Sequence, residues 1–271
     1  NLITPIIPFL LIFLSIYMIF TEENFLTSLT IFILAGFLGY LTLNLPVKEP
    51  LLPLLSGLFG TSAIILSLKN KLSLPKQEIQ KIPLLPKKDI LKSSVAASLT
   101  APLVAFLPVF GSGQAATLSS EIIETTPKSF LFLIGIINTL AMSISFIALY
   151  SINKTRTGSA VAIKEILNEI SYTDLAVIIL VIVLSAIISF FWGIFLSKLA
   201  VKYINKISYS KISTITLLII ILVNLIFTNP AGLLILLTST SLGIFCILSN
   251  SRRINLMGCL LIPTIVFYLT L

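Results

Sequence analysis

Long apolar runs, separated by short polar turns, repeat along the whole chain of 271 residues. A transmembrane helix needs about 20 consecutive apolar residues, and most of the runs reach that length. The uncharged runs cover residues 2–20, 25–47, 51–68, 93–120, 129–153, 175–197, 212–251 and 254–271. The run 212–251 is too long for one crossing, and TNPAG at 228–232 divides it at a predicted turn. Only helices and closed barrels satisfy their backbone in lipid, and no ten-residue alternating strands occur. The pattern therefore predicts an all-α, polytopic transmembrane helical bundle.

The composition agrees with a membrane protein, because 57% of the residues are hydrophobic, 10% are charged and the mean hydropathy is +1.11. Soluble domains carry about 25% charged residues. A secretory signal peptide would place one apolar segment at the amino terminus only, whereas here the segments recur to the end of the chain. We therefore expect a single integral membrane domain over residues 1–271, crossing the cell membrane several times and surrounded by the lipid bilayer.

The chain contains no histidine. Its absence excludes Ser-His-Asp and Cys-His catalysis, the common zinc sites and histidine proton relays. Cys246 and Cys259 lie inside apolar runs, where a free cysteine behaves as a small hydrophobic side chain. No pair of carboxylates falls inside a span. The sequence therefore predicts a protein that is not an enzyme and that has neither a cofactor nor a metal site.

Residues 69–92 form the longest polar segment, with seven lysines against Glu78 and Asp89. Lysine and arginine accumulate in cytoplasmic loops, so this lysine-rich loop is predicted to be cytoplasmic. Aromatic residues are not interleaved with the lysines, as they are in proteins that bind single-stranded nucleic acid. The loop is therefore expected to set the topology and to attract anionic lipid, with no nucleic acid as a partner.

The distribution of lysine and arginine also predicts how residues 93–120 enter the membrane. If this segment crosses once, ten basic residues fall inside and eight outside. If it enters and returns as a hairpin, fourteen fall inside and four outside. The second arrangement fits the positive-inside rule much better. Residues 93–120 are therefore predicted to be a re-entrant hairpin, or a broken pair of half-helices, of the kind that secondary transporters use.

The stretch FLPVFGSGQAATLSSE at 106–121 contains the predicted tip of this hairpin. Pro108 lacks the N–H that would continue a helix, and the glycines permit unusual dihedral angles. A half-helix beginning near Ser112 would direct free N–H groups at the gap and favour an anion such as a carboxylate or phosphate. The predicted substrate-binding residues here are Gly111, Ser112, Gly113, Gln114 and Thr117. The alternative is that these small residues only let two helices pack closely.

Two further pairs of polar residues accompany the hairpin. Asn138 and Thr139, in the span 129–153, are predicted to face the hairpin tip and to complete the substrate site, although such side chains also bond back to their own helix. Glu121 and Glu124 follow the motif near the predicted membrane edge. They are either candidates for binding a coupling ion, Na⁺ or H⁺, or solvated charges at the rim.

Residues 158–170 have the pattern of an amphipathic helix, with charged and amide residues opposite an apolar face. The apolar face consists of Ile163, Ile166, Leu167 and Ile170. This pattern predicts a helix that lies at the membrane interface, and a solvated connector is the alternative. Ser171 or Thr173 is expected to cap the span that follows.

The stretch LPVFGSGQAATLSSE resembles the Pro-Gly-x-Gly-x-x-Gln-Ala-Ala motif in the large membrane subunit of tripartite tricarboxylate transporters, particularly an archaeal branch. Residues 54–68, 137–163 and 252–269 resemble other stretches of that family in the same order. The resemblance implies the fold of a secondary transporter and the function of a permease that takes up a small carboxylate by symport. It also implies partners, because in bacteria the large subunit works with a periplasmic binding protein and a small membrane subunit.

The chain departs from the family pattern at two points. It reads Pro108-Val109-Phe110-Gly111 where the family has glycine directly after proline. Family members are also longer and carry a related motif in an amino-terminal half. The chain is therefore expected to be the carboxyl-terminal part of a longer permease, with the amino-terminal half of the same protein as a further partner.

Together these observations predict a secondary transporter for a small organic anion, with a carboxylate as the expected substrate and with ion coupling. Two alternatives remain open. The same dipole-lined gap could carry a lipid-linked anion such as polyprenyl phosphate, or the chain could be a membrane subunit that holds partners without transporting.

Overall fold

The computed structural model describes residues 6–71, 85–107, 109–155, 157–167, 169–204 and 208–270, and within these ranges the regular structure is helical. The helices are α1 (Ile7–Phe20), α2 (Phe25–Asn44), α3 (Leu51–Leu55), α4 (Ser62–Lys69), α5 (Lys87–Phe106), α6 (Ser112–Ile122), α7 (Pro127–Ile152), α8 (Gly158–Leu167), α9 (Tyr172–Ile204), α10 (Tyr209–Phe227), α11 (Pro230–Leu248) and α12 (Gly258–Thr270). A π-helical segment, Ser56–Thr61, joins α3 to α4. A 3-10 turn, Arg253–Met257, precedes α12.

Among the described residues, eight helices are long and apolar enough to cross a membrane. In this count, α3, the π-helical segment and α4 form one continuous helix, Leu51–Lys69, which we call the π-interrupted helix. Thr228 and Asn229 separate α10 from α11, where the sequence predicted a turn. The prediction of an all-α, multi-pass membrane protein is thereby confirmed.

The chain divides into two compact units. Unit 1 consists of residues 1–77 and 202–271, and unit 2 consists of residues 78–201. In unit 1, α2 packs closely against α12 because glycine lies at the contact. A Cβ added to Gly39 would clash with the carbonyl oxygen of Cys259 and would lie 2.6 Å from its carbonyl carbon. Cys259 and Cys246 are both free and fully buried in the core of this unit.

The π-interrupted helix runs between α10 and α11. On the α10 side, Asn224 Nδ2 donates to Ser56 Oγ at 3.3 Å, and a Cβ on Gly60 would lie 3.7 Å from the side chain of Ile220. From Ser56 to Gly60 the residue number rises along the π-interrupted helix, whereas the contacted residue number on α10 falls from 224 to 220. Helix α10 is therefore antiparallel to the π-interrupted helix. The end at Lys69 and the beginning of α10 therefore lie at the same end of unit 1.

Two turns meet at that end of unit 1. The turn between α1 and α2 carries Glu22, whose Oε1 accepts from Asn255 Nδ2 at 3.1 Å and lies 3.8 Å from Arg252 Nε. The hydroxyl oxygens of Ser28 and Ser251 are 3.1 Å apart and both side chains are buried. These polar contacts fasten the start of α2 to the connection between α11 and α12.

In unit 2, α7 packs along both α5 and α6. Thr126 caps α7, because its Oγ1 accepts from the N–H of Ser129 at 3.2 Å while the Ser129 hydroxyl accepts from the N–H of Thr126 at 2.7 Å. The buried face of α7 repeats every four residues and includes Ser129, Leu133, Ile137, Ala141 and Ser145. This regular spacing gives α7 one continuous stripe against its neighbours.

The structure changes the bounds of two predicted segments. Helix α5 begins at Lys87, so residues 87–92 of the lysine-rich loop are helical, whereas residues 72–84 lie outside the described ranges. Asp89, in the first turn of α5, is favourable beside the positive end of the helix dipole. The helix predicted at 158–170 is observed as α8, and its placement at the membrane interface stays a prediction.

The apolar face predicted for α8 divides into two parts. Ala160 is fully buried and Ile163 packs against the core of unit 2, but Ile166 is 76% exposed. Ser171 caps α9 as expected, because its hydroxyl accepts from the N–H of Asp174 at 3.2 Å. Within the connection between α7 and α9, α8 is therefore held at its buried side, and the start of α9 is capped.

Candidate functional site

The chain turns back on itself between α5 and α6. The hydroxyl oxygens of Thr100 on α5 and Ser119 on α6 are 2.8 Å apart, and both side chains are buried. Residues 109 and 110 lie midway along the chain between Thr100 and Ser119. Because the two helices meet again at equal distances from this midpoint, they are antiparallel, and the turn lies at the stretch that the sequence predicted. The helix break is thus a feature of the structure, whereas its position in a membrane stays a prediction. Pro108 lies outside the described residues.

Val109, at the tip of the turn, has a positive φ of 68°. This left-handed conformation is unfavourable for an L-residue, and most of all for a β-branched one. Val109 also stands where the resembled motif has glycine, the residue that adopts positive φ without steric cost. The position therefore requires an unusual backbone conformation, and this chain achieves it with a strained valine.

Replacing Val109 with glycine is expected to stabilise the protein relative to Val109→Ala by about 1 kcal/mol, because only glycine removes the left-handed strain. Both substitutions delete the same valine methyl groups, so the comparison isolates the backbone effect. Thermal melting of the two purified variants in detergent measures the difference. Equal melting temperatures would show that the tip does not hold a left-handed residue in solution.

Gly111 and Gln114 form the start of α6. Gly111 is the residue before the first helical turn, and its N–H donates to Gln114 Oε1 at 2.6 Å. Because a backbone N–H can only donate, the side-chain oxygen of Gln114 must face Gly111, which fixes the orientation of the amide. Gln114 is only 3% exposed, and its Nε2 has no hydrogen-bond partner among the described residues. A buried donor is thus left at the start of the helix.

The other three residues predicted for the tip are accessible to different degrees. Ser112 is half-buried in the first position of α6, and Gly113 beside it is exposed, with no atom within 4 Å of an added Cβ. Thr117 is half-buried and donates its hydroxyl to the carbonyl of Gly113 at 3.0 Å. The first N–H groups of α6 have no acceptor in their own helix, so this end can donate several hydrogen bonds to one anion.

Asn138 and Thr139 lie at the level of the hairpin tip but on an exposed side of α7. Helix α6 has eleven residues, and α7 begins at Pro127 after a short connection. If α7 runs back along α6, its eleventh residue, Ile137, is the one beside the start of α6. Ile137 is fully buried, whereas Asn138 and Thr139 are exposed. Thr139 bonds back to the carbonyl of Gly135 at 3.1 Å and lines a largely apolar groove of about 500 Å³ beside α9. The structure therefore does not place these two side chains in the buried contact between α6 and α7.

Glu121 and Glu124 lie at the opposite end of α6 from the tip. Glu121 is in the last turn of the helix, Glu124 is in the connection to α7, and both are exposed. Among the described residues, no group of three or more His, Cys, Asp or Glu side chains is close enough to hold a metal ion. The structure thus separates the candidate ion-coupling residues from the candidate anion-binding residues by the length of α6.

Two features of unit 1 were not predicted from the sequence. The first is the π-helical segment Ser56–Thr61, and the second is a contact in which Arg253 Nη2 donates to the carbonyl of Phe59 within that segment. SGLFGT contains two glycines in an apolar run, which is a usable signal for an irregular helix. Arg253 gave no such signal, because in the sequence it is only one of the charges at the end of a span.

Comparison with known proteins gives a family match over nearly the whole chain. Residues 3–258 match the family described as the tripartite tricarboxylate transporter TctA family. An uncharacterized protein of Methanocaldococcus jannaschii is 29% identical over 270 residues, which cover 97% of this chain and 66% of that relative. The chain thus spans just under two thirds of the length of this curated relative. No solved structure matches the chain.

Proposed function

The chain belongs to the tripartite tricarboxylate transporter TctA family, and on this premise we propose that it forms part of a secondary transporter for a small organic anion. The expected substrate is a carboxylate, carried in symport with Na⁺ or H⁺. The proposed partners are a binding protein, a small membrane subunit and an amino-terminal half of the same protein. We propose that the substrate binds at the start of α6.

The observation that carries the proposal is the unpartnered, buried amide of Gln114 beside the free N–H groups of α6. Both groups are donors, and the helix dipole adds a partial positive charge at the same place. An unpaired buried donor in a membrane protein is costly, and an anion at the start of α6 would satisfy it. Such a site recognises a carboxylate without a buried positive charge, as broken helices do in other secondary transporters.

The geometry of unit 1 supports a re-entrant α5–α6 hairpin. The π-interrupted helix ends at Lys69 and α10 begins at Tyr209 at the same end of unit 1, so the chain between these two residues crosses the membrane an even number of times. Helices α7 and α9 are each long and apolar enough for one crossing. One further crossing by α5 alone would make the number odd. A hairpin in which α6 returns the chain to the side it came from restores the even number.

The lengths of the two arms support a tip near the middle of the bilayer. From Lys92 to Phe106, α5 rises about 21 Å, and from Glu121 to Ser112, α6 rises about 14 Å, at 1.5 Å per residue. Half of the hydrocarbon core is about 15 Å, so α6 is too short to cross and reaches the midplane. Secondary transporters bind their substrates at this depth. Glu121 and Glu124 would then lie near the membrane edge, where the proposed coupling ion enters.

Replacing Gln114 with glutamate tests this site directly. A carboxylate oxygen still accepts from the N–H of Gly111, so the helix start is retained, but the buried donor becomes a negative charge. We expect Gln114→Glu to melt earlier, because a buried carboxylate is costly, and to reduce uptake of labelled citrate per folded protein in proteoliposomes by at least about tenfold, equivalent to about 1.4 kcal/mol. Uptake under an imposed Na⁺ gradient and under a proton gradient then identifies the coupling ion.

Normal uptake by Gln114→Glu would contradict a substrate site at the start of α6. If the unsubstituted protein moves no member of a panel of di- and tricarboxylates while a polyprenyl phosphate stabilises it, the transported anion is lipid-linked. If neither ligand has an effect, the result favours a protein that holds partners without transporting. These two outcomes correspond to the alternatives that the sequence left open.

A further inference from the structure

Arg253 contacts the middle of an apolar helix. Its Nη2 donates to the carbonyl of Phe59, and its guanidinium carbon lies 5.7 Å from the centre of the Phe59 ring. Phe59 is about 12 Å along the π-interrupted helix from Leu51 and about 15 Å from Lys69, at 1.5 Å per residue. The guanidinium group therefore contacts the middle of the π-interrupted helix, and charged side chains that reach into a membrane span are rare and usually functional.

The contact falls on the π-helical segment. A π-helical turn disturbs the regular backbone hydrogen bonds, and such turns are frequent at functional sites. Hydroxyl groups in the segment and directly after it bond to its other carbonyls: Thr61 donates to Gly57 at 3.2 Å, and Ser62, the first residue of α4, donates to Leu58 at 2.7 Å. The carbonyl of Phe59 is served by a charged side chain from another part of unit 1. The segment thus fixes one face of the guanidinium group.

Arg252 lies beside a carboxylate, whereas Arg253 contacts the backbone and ring of Phe59. Arg252 Nε lies 3.8 Å from Glu22, whose side chain is only 7% exposed. Among the described residues, no carboxylate lies within ion-pair distance of Arg253. A guanidinium group has five N–H donors in a planar fork. Within the part of the chain that the structure describes, Nη2 of Arg253 donates one hydrogen bond, to the carbonyl of Phe59. Arg253 is also exposed, so its remaining donors are accessible to a ligand.

We propose that Arg253, held by the π-helical segment at Phe59, binds an oxyanion, namely a carboxylate or a phosphate group. The planar fork matches either group in a two-point contact, and binding neutralises a charge that is otherwise costly within a membrane. This site lies in unit 1 and is separate from the start of α6 in unit 2. Binding at Arg253 does not depend on the proposed function. Only the further step, that the bound oxyanion is transported, rests on it.

The neighbouring arginine provides a matched control. We would measure the increase in melting temperature that citrate gives to the purified protein in detergent, and separately the increase from phosphatidylglycerol. Arg253→Gln is expected to lose the stabilisation by one of these two ligands, with at least a tenfold weaker apparent affinity. Arg253→Lys, which keeps the charge without the fork, should retain part of it. Arg252→Gln should melt earlier without ligand, because Glu22 loses its ion pair, but should keep the full ligand-induced increase.

Loss of the citrate effect alone assigns Arg253 to a soluble carboxylate, and loss of the phosphatidylglycerol effect alone assigns it to a lipid phosphate. If Arg253→Gln and Arg253→Lys keep both effects as fully as Arg252→Gln does, the proposal is overturned and Arg253 only caps the Phe59 carbonyl. Because binding is measured without transport, the two proposals can fail separately. Citrate binding that depends on Arg253 without any uptake would contradict the proposed function and leave this site standing.

Discussion

Replacing Gly113 with leucine is expected to abolish substrate uptake while leaving the protein folded. Gly113 occupies the first turn of α6, is exposed, and has no atom within 4 Å of an added Cβ. The Cβ of a leucine therefore meets no atom, and leucine favours the helix by about 1 kcal/mol relative to glycine. It would occupy the space in front of the N–H groups that are proposed to hold the anion. Uptake into proteoliposomes and thermal melting separate these two effects.

Gly193 provides the control for this substitution. It lies in α9, and an added Cβ there also meets no atom within 4 Å. Gly193→Leu should therefore melt as the Gly113→Leu variant does and should transport as the unsubstituted protein does. Full uptake by Gly113→Leu would show that the start of α6 is not where the substrate passes.

Replacing Gly39 with alanine is expected to destabilise unit 1 strongly. The added methyl group would overlap the backbone of Cys259, lying 2.6 Å from its carbonyl carbon and 2.7 Å from its Cα. Backbone atoms in α12 cannot turn aside as a flexible side chain can, so α2 and α12 must separate along a closely packed contact. Overpacking costs about 1–3 kcal/mol, and a backbone clash places this variant at the upper end of that range.

Gly135→Ala is the matched substitution for comparison. An added Cβ on Gly135 meets no atom within 4 Å, and alanine favours a helix over glycine. Its melting temperature should be equal to or above that of the unsubstituted protein, whereas Gly39→Ala should melt earlier and be recovered in lower yield. Equal stability of the two variants would contradict the close α2–α12 contact.

The apolar runs predicted the spans well because a membrane helix is defined by the hydrophobicity and length of its own residues. The helix break near Gly111 could also be predicted, since proline, glycine and the lysine distribution all pointed to it. The antiparallel pairing of Thr100 with Ser119 could not, because the register between two helices depends on side-chain packing. Val109 stands where the family motif has glycine, and the structure shows a positive φ at this position. The departure from the motif therefore coincides with an unusual backbone conformation.

The candidate site was predicted less completely than the fold. Gln114 was chosen as a hydrogen-bonding side chain, but its buried, unpartnered Nε2 became visible only in the structure. Asn138 and Thr139 were predicted to face the hairpin tip, but their exposed orientation depends on which face of α7 packs against α5 and α6, and the sequence does not reveal that face. Arg253 was counted only as a topology charge, because no local pattern reveals that its side chain turns back along a neighbouring helix to Phe59.

The re-entrant α5–α6 hairpin is the central claim, and cysteine accessibility tests it most directly. In a background in which Cys246 and Cys259 are replaced by alanine, single cysteines would be placed before the hairpin at Lys88, after it at Glu124, and beyond α7 at Glu169. All three positions are exposed in the structure. A membrane-impermeant maleimide applied to intact cells should label only the cysteine at Glu169, and permeabilised cells should show labelling at all three. Labelling at Glu124 but not at Lys88 in intact cells would mean that the segment crosses the membrane once, and would contradict the hairpin.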